Sequence, residues 1–117
     1  PRAVEFLHKP DHLFHDADEE TLDVSRGALR ETGSTILDRD LQTAHAVDLR
    51  EQLSGVEAPA LALVGEYDRL TPPYFHEELC AELSECEVTV VDDAAHLTML
   101  EASAAFNDDL SGFLSRV

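Results

Sequence analysis

The chain has 117 residues, 44% of them hydrophobic, which bounds it to one domain or part of one and excludes a wholly disordered segment. Its 25 acids against 8 bases leave a net charge of −17 with no basic patch, so nucleic acid is not an expected partner. The longest apolar stretch, residues 60–64, falls far short of the roughly 18 residues a membrane span needs, so no membrane partner is expected.

The acids are scattered, with the densest cluster at residues 16–20, and seven of the eight bases are Arg. A solvated acidic surface repels itself at low salt and is screened at molar salt, where the Debye length is ~3 Å. The pattern is that of a halophile's cytoplasmic protein; a merely acidic domain is the plainer alternative. The chain opens at Pro1 rather than Met, as a segment of a longer protein does, and residues 1–10 carry no signal-peptide pattern.

In chain order, residues 2–8 read as the end of a helix stopped by Pro10, and residues 11–15 as a loop. Residues 18–32 read as a helix with Leu22, Ala28 and Leu29 inward and Gly33 as terminator. A further helix is expected over residues 36–46, through Ile36, Leu37, Leu41 and Ala44. Asp48 and Glu51 give a carboxylate version of a capping box for a short helix over 49–54, ended by Gly55. The apolar run 60–64, between Pro59 and Gly65, reads as a parallel strand buried on both faces. Thr71 is expected to cap a helix that runs to about Ser84 with Phe75, Leu79 and Leu83 on one side. Residues 86–91 alternate at first and read as a strand near the sheet edge. A last helix is expected over residues 103–116, with Phe106, Leu110, Phe113, Leu114 and Val117 as its apolar stripe. Cys80 and Cys86 show neither CxxC nor zinc spacing and read as core cysteines, with a disulfide as the alternative.

Strand, helix, strand, helix implies parallel strands and crossovers. Functional residues then collect beyond the C-terminal strand ends. Two segments lie there, residues 65–73 and residues 92–101. Gly65-Glu66-Tyr67-Asp68-Arg69-Leu70-Thr71-Pro72 resembles the acid loop of α/β-hydrolases. Ala95-His96-Leu97-Thr98-Met99-Leu100-Glu101 resembles their histidine loop. The resemblance covers residues 48–117 well and residues 1–47 loosely, as a helical cap.

That resemblance implies an α/β fold: the C-terminal part of an α/β-hydrolase doubly wound parallel sheet, with a cap-like segment at 1–47 and a core segment at 48–117. It implies a nucleophile–His–acid triad with Asp68 as acid and His96 as base. The nucleophile should precede Asp68. No G-x-S-x-G is present, and Ser25, Ser34 and Ser54 follow no buried strand. The nucleophile, Ser or Asp, is therefore expected outside this chain, and the isolated chain is expected to be inactive. The implied substrates are small esters, lactones or similar acyl compounds. The implied partner is the missing N-terminal hydrolase portion. No cofactor is implied, and no substrate-binding residue is assigned.

Plainer readings stand beside these. Asp68 could be a turn former and His96 a solvent-facing loop residue. Asp92 and Asp93 are the nearest rivals to Asp68 and are read as strand-end surface residues. His8, His12 and His15 are interrupted by Pro10 and lack a completing ligand, so no metal site is expected. His76 reads as a surface residue, Tyr67 and Arg69 as candidates for the site mouth, and Glu101 as a cap or an organiser of the histidine loop. A non-catalytic acidic interaction module, or a degenerate remnant of the fold, is the alternative to an enzyme.

Overall fold

The structure, a computed structural model, describes residues 10–117. The helix expected over residues 2–8 lies outside the described residues. Helix α1 is one turn, Pro10–Leu13, where a loop is expected. Proline suits the first helical position, where its missing N–H costs no hydrogen bond.

Helix α2 spans Glu19–Thr32. Asp18 caps it, with Oδ1 accepting the Thr21 N–H at 2.8 Å, and Glu19 and Glu20 complement the positive end of its dipole. Gly33, at φ 77°, ends α2 and directly begins α3, Ser34–Ala46. A side chain at that φ would be strained, so glycine makes the abrupt change of direction possible. Leu22 and Leu29 are half-buried as expected, whereas Ala28 is exposed and Ser25 is buried instead. Ile36 and Leu41 are exposed as well, because among the described elements α3 packs chiefly on α2. Asp48 then accepts the Arg50 N–H and pairs with the Arg50 guanidinium. The expected short helix is a 3₁₀ turn, Arg50–Gly55.

Strands β1 (Ala60–Gly65) and β2 (Cys86–Val91) are adjacent and parallel, in register from Ala60↔Cys86 to Gly65↔Val91. Helix α4 (Pro73–Ala81) is the crossover, and the one-turn α5 (Thr98–Glu101) leads into α6 (Ser103–Leu114). Helices α4 and α6 each touch both strands. Val64 and Val91, at the C-terminal strand ends, join Leu13, Phe14, Ala94, Ala95 and Phe113 in the core. The core thus sits directly under the two loops that leave the sheet.

Several expectations are corrected. β1 is only half-buried over residues 60–63, because β2 is its single neighbour among the described strands. Thr71 does not cap α4; Pro72 is the cap residue and Pro73 opens the helix, which ends at Ala81. Phe75 and Leu79 are exposed, as are Leu114 and Val117 beyond the buried Phe113. Cys80 and Cys86 form a disulfide rather than two core thiols. The short turn at residues 82–85 brings their Cα atoms to 5.1 Å, within disulfide range. Among the described residues no helix is long and apolar enough to cross a membrane.

Candidate active site

The two loops at the C-terminal strand ends touch through their backbones. The Glu66 N–H donates to Val91 O at 3.0 Å and the Tyr67 N–H to Ala94 O at 2.9 Å. A Cβ on Gly65 would lie 2.3 Å from Ala95 O and 2.4 Å from Ala94 O. Only glycine admits that approach. The turn that brings the second loop back passes through Asp93 at φ 54°, a left-handed conformation Asp tolerates better than most residues.

Asp68 emerges from the first loop with its side chain 4% exposed. Oδ1 accepts the N–H groups of Leu70 and Thr71, both at 2.9 Å. Oδ2 accepts the Thr71 hydroxyl at 3.1 Å and lies 2.9 Å from His96 Nδ1. Burial alone would raise the carboxyl's pKa; the Thr71 N–H, the His96 ring and the Leu70 N–H outweigh it and hold the group below the ordinary carboxylate range. An ionised carboxylate accepts only, so the ring nitrogen facing it carries the proton. The other nitrogen, Nε2, is then a free base in the neutral ring. The His96 side chain is 34% exposed, so one edge of the ring is held and the other is accessible.

The structure thus brings Asp68 and His96 together, 28 residues apart in sequence. Asp92 and Asp93 are exposed, and the ring's carboxylate partner is Asp68. Tyr67 stacks on His15, with centroids 3.8 Å apart and planes within 11°. With Phe14 and Arg69 they line a small cavity of about 70 Å³. His76 is half-buried rather than a surface residue, with Nε2 3.2 Å from Thr71 O. Ser25 is buried on α2, Ser34 opens α3 and Ser54 lies in the 3₁₀ turn, so none stands at a strand end. Of the histidines considered for a metal, His8 is outside the described residues, and no group of three possible ligands occurs among the described ones.

Beside His96 opens a cavity of about 410 Å³, lined by Leu13, Val24, Ser25, Ala28, Leu29, Leu97 and Leu100. Among the described residues that line it, His96 is the one ionisable side chain, in a chain that carries 25 acids. Its volume lies within the roughly 300–1,000 Å³ of small-molecule sites. A larger cavity of about 760 Å³, lined by Arg50, Leu53, Phe75 and Leu79 among others, shares no residue with the pair.

Sequence reading assigned no role at the pair to Thr71, whose N–H and hydroxyl both serve Asp68 and whose oxygen lies 3.4 Å from His96 Nδ1. The signal was local: an Asp followed three residues later by Thr can fold into a side-chain-capped turn. It also missed the docking of residues 13–16 on the histidine loop, where the Leu97 N–H donates to Leu13 O at 3.0 Å. No local pattern announces a contact across so many residues.

No family model matches the chain. A pimeloyl–acyl carrier protein methyl ester esterase of Neisseria meningitidis is 33% identical over 70 residues, covering 60% of this chain and 27% of that protein. Among solved structures, a thermophilic esterase superposes with a TM-score of 0.80 at 29% identity, over 99% of this chain and 50% of that one. An α/β-hydrolase enzyme, MGS-M2 from a Medee basin deep-sea metagenome library, superposes with a TM-score of 0.69 at 20% identity, over 98% and 46%. The chain therefore spans about a quarter of the length of that curated relative and half of the solved esterase.

Proposed function

We propose that this chain, which is similar in sequence to esterases and shares the fold of an α/β-hydrolase, supplies the acid and the base of an ester-hydrolysing triad. Asp68 holds the Nδ1–H of His96. Nε2 takes the proton from a nucleophile hydroxyl and later returns it to the leaving alcohol. The nucleophile and the oxyanion donors come from an N-terminal hydrolase portion that packs against the exposed faces and strand edge of this half. With a carboxylate nucleophile, His96 would instead activate the water that cleaves the ester intermediate. Residues 1–47 act as the cap and residues 48–117 as the core segment.

The observation that carries this reading is the 2.9 Å contact between Asp68 Oδ2 and His96 Nδ1 at the C-terminal end of a parallel sheet. The apolar wall beside His96 favours an uncharged aliphatic group on the substrate, because a charge placed there would lose its hydration without a partner.

The test is ester hydrolysis by the full-length protein that carries this chain. His96→Ala is expected to lower kcat by on the order of 10⁴-fold or more, because triad members act as a unit. Asp68→Asn is expected to cost about 10⁴-fold through the wrong imidazole tautomer. Near-normal turnover in His96→Ala would leave the non-catalytic acidic module as the better reading.

A further inference from the structure

Glu101 closes α5, five residues beyond His96. Its carboxylate accepts three backbone N–H groups. Oε2 takes that of Ala95 at 2.8 Å, and Oε1 takes those of His15 and Asp16, each at 2.6 Å. Two of the donors lie 86 and 85 residues away along the chain, in the segment that leads into α2. Hydrogen bonds to an ionised carboxylate are roughly twice as strong as neutral ones.

The Ala95 peptide is fixed from its other side as well. Ala95 is fully buried, its carbonyl accepts the Thr98 hydroxyl at 2.8 Å, and the backbone stands against Gly65. His96 follows directly. The ring that must meet Asp68 therefore follows a residue, Ala95, whose N–H is held by Glu101 and whose C=O is held by Thr98. The segment held by Oε1 meanwhile presents Leu13 to the cavity beside His96 and the His15 ring to Tyr67 of the acid loop.

We propose that Glu101 is a positioning residue: its carboxylate latches residues 13–16 onto the histidine loop and thereby fixes Ala95, the residue directly before His96. Its catalytic consequence rests on the reading of His96 as the base. A glutamine cannot replace it, because its amide has one acceptor oxygen and can serve one donor set but not both. A misplacement of about 1 Å at a reacting group can lower the rate on the order of 10²-fold.

The experiment compares wild type, Glu101→Gln and Glu101→Ala in the full-length protein, by steady-state ester hydrolysis and by NMR of ¹⁵N-labelled histidine. On that scale, kcat is expected to fall on the order of 10²-fold in Glu101→Ala and less in Glu101→Gln, with KM moving little. The His96 Nδ1–H signal is expected to broaden and to exchange faster with solvent in the same order. A merely structural role would lower the melting temperature while kcat per folded molecule and the Nδ1–H signal stayed as in wild type, and that result overturns the proposal. Should the Glu101 variants not fold, Thr98→Val removes the hydroxyl on the Ala95 carbonyl and is expected to produce the same two changes; wild-type values there overturn it equally. If no protein in the series hydrolyses esters but the Nδ1–H signal still responds to Glu101, the base reading fails and the latch stands.

Discussion

Asp68 is the most heavily engaged side chain of the site, and its ionisation holds the site together. Two N–H groups, one hydroxyl and one ring nitrogen surround its two oxygens. Its pKa is lowered on folding, so its contribution has a definite sign with pH. That stability is fully present above the unfolded carboxylate value of about 3.9 and is lost as pH falls through the lower folded value. Asp68→Asn should behave differently. The Asn oxygen can still accept from Leu70 and Thr71, but its NH₂ group can pair with His96 Nδ1 only when the ring moves its proton to Nε2, and every bond to the group loses its charge-assisted strength. Near pH 7 the variant should be less stable by about 1–3 kcal/mol. Urea unfolding at pH 7 and pH 3 would show it: the gap between wild type and Asp68→Asn should narrow in acid. A gap that stayed constant would mean that the carboxylate's charge is not what the loop relies on.

At the level of elements, what was legible depended on how far each signal reached along the chain. A short apolar run between Pro59 and Gly65 needs no context to read as a strand, and β1 and β2 lie where the residues place them. The terminator at Gly33 is equally local. Burial was less legible, because it depends on neighbours: β1 and the Phe75–Leu79 face of α4 carry core-type residues but remain partly or largely open. The disulfide hinged on a turn whose tightness composition does not state, and Thr71 traded the expected cap for Asp68. The pairing of Asp68 with His96 was legible only because the parallel order puts both loops at one end of the sheet. Helix α2 supplies the element-scale prediction. Ala28 is exposed but lines the cavity beside His96, so Ala28→Trp should fill part of that space without disturbing the core. In the full-length protein the ratio of octanoate to acetate ester hydrolysis should fall, by roughly 10-fold or more for the loss of one to two methylene-sized contacts. Ala44→Trp, on the exposed α3, should leave that ratio as it is. An unchanged ratio in Ala28→Trp would remove the cavity from the substrate's path.

For the whole molecule, charge acts on stability in a way that no single contact expresses. The visible ion pairs of Arg26, Arg39, Arg50 and Arg116 join partly or fully exposed side chains. Exposed pairs of this kind add little to stability. They use only a few of the 25 acids, and the net charge of −17 stays spread over one small surface. Salt weakens both effects, the pairs and the repulsion, but the repulsion involves many more partners and should dominate. Folding should therefore strengthen with added KCl. The form of the dependence separates screening from exclusion of salt from the surface. The Debye length shrinks from ~10 Å at 0.1 M to ~3 Å at 1 M, so a screening effect should be steep at first and then flatten. Stabilisation by excluded solutes instead keeps growing with concentration. The urea midpoint of this chain, followed by circular dichroism across a KCl series, should rise mainly in the first part of the range. A midpoint that did not move would show that the acidic surface costs little in dilute buffer, and would remove the reason to propose a protein adapted to high salt.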